Sequence, residues 1–215
     1  MNIDTRGLTV AIAIATAGRR DILTQTIAFL NNQTRKPDEF LVCPARPEDV
    51  DLQGLSLYNG AVTVVQGATG SSHQRNAMIA ASHADVMIFF DDDFLPAADY
   101  LAQVETLFAD DPGVMVATGH VIEDGAQGAG LEIEEGRRIL DADDFRGAAS
   151  VEPIFNGYGC NMAIRLAPAR DHGIRFDENL PLYAWLEDVD LSRQLAAHGK
   201  VVKADQLRGV HLGTK

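Results

Sequence analysis

Val86-Met87-Ile88-Phe89-Phe90-Asp91-Asp92-Asp93 runs an apolar stretch straight into three consecutive acids. A short apolar run bounded by polar residues reads as a buried strand, of the kind found in parallel sheets covered on both faces. In an extended chain Asp91 and Asp93 point to one side and Asp92 to the other. Two carboxylates on the same side of a strand end repel each other unless a cation lies between them. Oxygen-only ligands suit Mg2+ or Mn2+, and Mg2+ is usually held by one or two carboxylates together with phosphate oxygens. The plainer alternative is a solvated acidic turn. Ligands of open α/β sheets bind beyond the carboxyl ends of the strands, which is where this triplet falls.

Outward from that strand, aliphatic runs and helical patterns alternate. On the N-terminal side, residues 8–15, 39–43 and 61–66 read as strands. Asp21 is placed to cap a helix carrying Leu23, Ile27 and Leu30 on one face. Ser71 and Gln74 form a capping-box pattern that opens a helix ending near Ala84. On the C-terminal side, Pro96 suits the first turn of a helix with Leu101, Val104 and Phe108 on one face, and residues 114–118 read as a further strand. This alternation predicts an α/β fold with a mostly parallel sheet flanked by helices. Residues 119–152, rich in Gly, Asp, Glu and Ala, lose periodicity and read as an irregular excursion from the sheet. A helix over residues 186–198, stopped by Gly199, and a short last strand over 201–204 complete the pattern.

A length of 215 residues fits one domain with a substantial core. Residues 1–118 and 119–215 read as its two halves. The net charge of −13 argues against nucleic acid or an anionic membrane surface as a partner. A phosphorylated ligand then needs a bridging metal or a few well-placed arginines. Cys43 and Cys160 make neither a disulfide framework nor a metal cluster, and they are compatible with a reduced cytoplasm. No stretch approaches a membrane span, and the polar residues 1–6 do not read as a signal peptide. Gly213-Thr214-Lys215 reads either as a natural end or as the point where a C-terminal extension is missing.

Four further clusters carry candidate chemistry. Arg75 falls in the first turn of its helix, where the macrodipole disfavours a cation unless an anion is near; a tolerated surface arginine is the alternative. Gly67 and Gly70 leave room beside it, without a Walker lysine or a GxGxxG pattern. Thr16-Ala17-Gly18-Arg19 occupies the turn after the first strand, a place that commonly meets a nucleotide, or is an ordinary connection. Glu187-Asp188, after the only tryptophan, Trp185, begins a helix. A carboxylate there can act as a general base, or merely cap the helix beside a core tryptophan. His211, after the last strand, is an isolated histidine.

Taken in order, these clusters resemble a family 2 glycosyltransferase with the GT-A fold, a Rossmann-like sheet with a smaller acceptor-side part. VAIAIATAGRRDILTQTIAFLNNQT (10–34) resembles the family's first strand, nucleotide loop and helix. RNAMIAASHADVMIFFDDDFLP (75–96) resembles its arginine-bearing helix and DxD motif. GCNMAIR (159–165) and RFDENLPLYAWLEDVDLSRQLAAHG (175–199) resemble its acceptor loop and ED motif. The resemblance implies that Asp93 binds the metal, Mn2+ or Mg2+, with Asp91 and a C-terminal histidine, His211. It puts Thr16, Ala17, Gly18 and Arg19 against the nucleoside, and Arg75, Asp91 and Asp92 on the nucleotide sugar. Asp188 is implied as the catalytic base of an inverting transfer, with Gly159, Cys160, Asn161, Trp185 and Glu187 shaping the acceptor site. The implied partners are a nucleotide-diphosphate sugar donor and a sugar or glycolipid acceptor in polysaccharide or glycoconjugate synthesis. The place implied is the cytoplasm or, peripherally, the inner face of the membrane.

The chain departs from the family pattern after the second strand. Leu41-Val42-Cys43-Pro44-Ala45 stands where an aspartate usually reads the base, so UDP, the first choice, is joined by GDP and dTDP. Three other readings compete. A sugar-nucleotidyltransferase would want a glycine-rich loop with a lysine after the first strand, where TAGRRD stands. An aspartyl phosphatase would carry its DxD after the first strand, not the fourth. A catalytically inactive binding or scaffold module of the same fold is the third.

Overall fold

The computed structural model describes residues 7–145, 149–180 and 186–214. Val10–Thr16 forms β1, buried along almost its whole length. Glu39–Pro44 (β2) and Val86–Asp91 (β4) flank it in parallel, and Thr63–Val64 (β3) extends the sheet beyond β2. Side chains alternate across these strands. Ile12, Ile14, Ile88 and Phe90 face one side and pack with Leu23 and Ile27 of α1 (Arg20–Phe29) and with Leu101 and Val104 of α3 (Tyr100–Asp110). Ala11, Ala13, Met87 and Phe89 face the other and pack with Met78 of α2 (Ser71–Ala81) and with Leu191 and Leu195 of α6 (Glu187–Ala196). The α/β alternation thus gives one sheet between two apolar layers.

Beyond β4 the sheet changes character. Asn161–Arg165 (β8), which leads into the short helix α5 (Leu166–Asp171), pairs antiparallel with β4 and with Val114–Asp124 (β6). Lys200–His211 (β9) then runs parallel to β6. The first half of β9 takes Val151–Pro153 (β7), and its far end takes Phe94–Pro96 (β5), both antiparallel. The strand order is β3-β2-β1-β4-β8-β6-β9-β5. Only two residues, Asp92 and Asp93, separate β4 from β5, yet β5 lies at the far end of that order. The sheet therefore curls, and its last ladder returns to the acidic tip of β4.

Several local expectations give way to long-range pairing. Pro96 ends β5 opposite Gly209 and does not open α3; an edge strand tolerates a residue that cannot donate. Residues 119–152 are not irregular throughout, because β6 continues to Asp124 and Ile133–Ala142 forms α4. Bulges in the β6–β9 ladder blur the two-residue period. In α4 the inward position is Gly136, where a Cβ would come within 2.6 Å of Leu212, and Ile133, Ile139 and Leu140 form an apolar face around it that the Gly- and acid-rich surroundings masked. The last strand is twelve residues long, with His211 inside it. No side chain caps α1 or α2: Arg19 and Gly70 precede them, and α2 stops at Ala81. The Gln74 amide is drawn instead to the carbonyls of Thr16 and Cys43, at 3.0 and 2.5 Å.

Candidate active site

The curled sheet brings three elements to one point. β4 delivers Asp91 and, through the turn that follows, Asp92 and Asp93. Register Phe94↔His211 in the β5–β9 ladder sets His211 beside them. Carboxylate oxygens of Asp91 and Asp93 and a ring nitrogen of His211 all lie within 4.8 Å of one another. His211 Nε2 is 3.4 Å from Asp93 Oδ1 and 3.7 Å from Asp91 Oδ2. Asp93 Oδ1 is buried and receives no well-formed hydrogen bond from the described residues.

The electrostatics fit a divalent cation. Burial works against a charge on His211, but Asp93, Asp91 and Asp124 outweigh it and push the ring up to about 9. Burial alone would raise the Asp93 carboxyl; the His211 contact, Arg19 and the Thr214 amide prevail and hold it below its ordinary value. A site that keeps a histidine charged among carboxylates is a site that demands positive charge. Two carboxylates and an imidazole, gathered this closely in a buried corner, form a donor set that can hold a divalent metal ion.

Asp92 has a different setting. Its Oδ2 accepts the Thr16 hydroxyl at 2.6 Å, and its Oδ1 pairs with Arg19 at 2.6 Å. Burial pushes this carboxyl up to about 7, against the pull of Arg19 and Thr16. Arg19 also reaches Asp93 at 3.2 Å and donates to the Thr214 carbonyl at 2.9 Å. The turn after β1, the acid triplet and residue 214 are thereby tied together.

Arg75 is a buried junction. Its guanidinium pairs with Asp91 at 3.2 Å and with Glu187 at 2.5 Å, and it lies over the Phe176 ring. Burial raises the Glu187 carboxyl, partly offset by Arg75. Asp188, in the first turn of α6, accepts the Gly159 amide at 3.0 Å and the Val189 amide at 2.7 Å. Each of its oxygens keeps a lone pair for a further donor. A Cβ on Gly159 would lie 3.5 Å from Asp188 and 3.6 Å from Arg75, so the loop between β7 and β8 passes directly over the pair.

Most sequence-predicted residues converge here: Asp91, Asp93, His211, Arg75, Glu187, Asp188 and Gly159, with Thr16, Arg19 and Asp92 adjoining. Thr16 turns its hydroxyl inward to Asp92, so that group is already engaged. Ala17 is exposed, and Gly18 takes φ 71°, a left-handed conformation suited to glycine. Cys160 and Asn161 are fully inside the fold and offer no surface to an acceptor as they stand. Asn161 accepts the Thr118 hydroxyl on its side chain at 2.6 Å and the Tyr100 hydroxyl on its carbonyl at 3.0 Å. Trp185 lies outside the described residues.

A cavity of about 690 Å3 opens beside Arg19, lined in part by Gly18, Glu48, Asp49, Gly130 and Thr214 and by none of the triplet acids. Its acidic lining is poor company for a diphosphate, and Arg75, Asp91 and His211 lie elsewhere. The sequence reading missed Gln74, Asp124 and Tyr158. Gln74 was assigned to a local cap, and the other two fall in or near the stretch read as irregular. Asp124 accepts from the Tyr158 hydroxyl at 2.9 Å and contacts His211 Nδ1 at 2.8 Å. The contacts of all three are long-range, so no sequence spacing announces them.

Comparison with known proteins adds to this geometry. The family model described as Glycosyl transferase family 2 matches residues 11–173. No curated protein sequence matches the chain. The mannosyltransferase PcManGT from Pyrobaculum calidifontis, solved with GDP-Man and Mn2+, superposes with a TM-score of 0.68 at 15% identity. That match covers 97% of this chain and 58% of the mannosyltransferase. S. aureus TarS superposes with a TM-score of 0.67 at 14% identity, over 94% of this chain and 36% of TarS. A TarS fragment, residues 1–349 in complex with UDP, gives 0.65 at 16% identity, over 95% and 58%. The chain thus spans little more than half of these proteins, or less. At such identities the likeness is one of fold.

Proposed function

The chain belongs to glycosyl transferase family 2 and has the GT-A fold, and from that premise we propose that it transfers a sugar, with inversion, from a nucleotide-diphosphate sugar to an acceptor hydroxyl. The observation that carries the proposal is Arg75, whose guanidinium joins the Asp91–Asp93–His211 cluster on one side to the Glu187–Asp188 pair on the other. A donor-activating end and a proton-accepting end thus share one buried cation.

Asp91, Asp93 and His211 would hold Mn2+ or Mg2+. A divalent ion there supplies positive charge to the leaving diphosphate. Arg75 adds a fixed positive charge beside the same region, and the turn at residues 16–19 borders the nucleotide. Asp188 takes the acceptor hydroxyl's proton on a carboxylate oxygen not saturated by the Gly159 and Val189 amides. Glu187 and Arg75 hold that part of α6 in place. Attack from the side opposite the leaving group then inverts the anomeric carbon in one displacement.

The donor is UDP-sugar first, with GDP- and dTDP-sugars as alternatives. PcManGT and TarS, solved with GDP-Man and UDP respectively, support a nucleotide-sugar donor of this general kind. The acceptor is a sugar or glycolipid, in polysaccharide or glycoconjugate synthesis. Among the described residues no helix is long and apolar enough to cross a membrane; we assign the chain to the cytoplasm or the inner membrane face.

A thermal-shift screen of UDP, GDP and dTDP, with and without Mn2+, tests the proposal. One nucleotide should raise Tm, and the rise should depend on the metal. No shift with any nucleoside diphosphate would favour the inactive scaffold reading.

A further inference from the structure

We propose that Asp124 is a positioning residue for the cation: its carboxylate fixes the orientation and tautomer of His211, so that Nε2 faces Asp91 and Asp93. The inference rests on the metal reading of that cluster given above.

The placement is built into the sheet. Asp124 ends β6, His211 ends β9, and the two are register partners. The ladder reaches that register only after irregularities at Gly119/His120 and Val121/Glu123. A one-residue slip exchanges the faces of a strand, so these bulges decide which side chain of β6 meets the ring. Two glycines lock the result. A Cβ on Gly125 would lie 2.1 Å from the Leu212 carbonyl oxygen, and one on Gly213 would lie 2.0 Å from the Ala126 nitrogen. Backbones packed this closely leave little play between Asp124 and His211.

The chemistry follows from the contacts. Asp124 Oδ1 lies 2.8 Å from His211 Nδ1. An ionised carboxylate only accepts, so a hydrogen stays on Nδ1, and it is the Nε2 proton that a bound cation would displace, leaving that lone pair facing the metal. Asp124 is itself held: Oδ1 accepts the Ala126 amide at 3.1 Å and Oδ2 accepts the Tyr158 hydroxyl at 2.9 Å. Its carboxylate is thereby committed to the ring and does not enter the cluster as a ligand. A carboxylate behind a ligating histidine is a recurrent device, and its removal costs about 10–100-fold in metal affinity.

Calorimetric titration of the full chain with Mn2+ alone tests the proposal. Asp124→Asn should raise the Mn2+ Kd by about tenfold or more, measured at a temperature where the metal-free variant is fully folded. Tyr158→Phe, which removes only the hydroxyl holding Asp124, should shift the Kd in the same direction by less, and it keeps the test open if Asp124→Asn folds poorly. A purely structural role would lower the metal-free Tm and leave the Kd in place, which overturns the proposal. Wild-type affinity in both variants, with binding abolished by Asp93→Ala, overturns it while the metal reading stands. No Mn2+ binding by wild type overturns both.

Discussion

Asp91, Asp92 and Asp93 are the same side chain three times over, and the fold gives each a different neighbour. Asp91 stays partly exposed between Arg75 and His211, Asp92 is buried against Arg19 and Thr16, and Asp93 is buried between Arg19 and the His211 ring. Alternation along a strand anticipated that Asp92 would part from the other two. It could not supply Arg19 or His211, which come from 74 residues before and 118 after Asp93. Two predictions belong at this scale. Asp188→Asn can accept only one of the Gly159 and Val189 amides and has no carboxylate to take a proton; transfer should fall by about 10²–10⁴-fold, with metal-dependent nucleotide binding nearly unchanged by calorimetry. Activity equal to wild type would remove Asp188 as the base. Asp93→Ala should instead weaken nucleotide binding in Mn2+ and leave it unaltered in its absence. An affinity that ignores the metal in wild type would place the metal elsewhere.

At the scale of elements, the site depends on how α2 and α6 are joined through Arg75. Side-chain exposure is 7% at Arg75 and 13% at Glu187, so the pair is largely desolvated. Removing the cation strands two acids. Arg75→Met should cost about 3 kcal/mol in urea denaturation, and adding Glu187→Gln should recover part of that loss by removing the stranded charge. Additive losses in the double variant would show that the pair is not coupled. Helices α1, α2, α3 and α6 were legible because their apolar stripes are local, as with Leu23 and Ile27 or Leu191 and Leu195, whereas the six-residue α5 is too short to show one. α4 was equally local, with Ile133, Ile139 and Leu140 on one face, but was overlooked inside a stretch whose Gly- and acid-rich composition suggested an irregular loop. β5, β7 and the second half of β9 were not legible, because each is a strand only by virtue of a partner distant in sequence.

For the molecule as a whole, the strand order decides whether the two halves are separate. β8, from the second half, lies between β4 of the first and β6, which itself crosses the boundary at 118, and β9 pairs with β5, β6 and β7. We propose a single domain on that ground. Scanning calorimetry should show one transition whose calorimetric and van't Hoff enthalpies agree. Two resolved transitions would mean that residues 1–118 and 119–215 fold independently.

The sequence by itself determined the α/β alternation, the buried parallel strands β1, β2 and β4, the acidic tip at 91–93, and the set of residue types from which a metal and base site is drawn. Those features depend on neighbours a few residues away, where side-chain periodicity and charge act directly. Only the tertiary structure decided the antiparallel second half of the sheet, the curl that returns His211 to Asp93, the Arg75 bridge to Glu187, and the Asp124 contact behind the histidine. Each of these is fixed by the register between strands or helices far apart in the chain. Register is set by packing and backbone pairing across the whole core, and no local pattern encodes it.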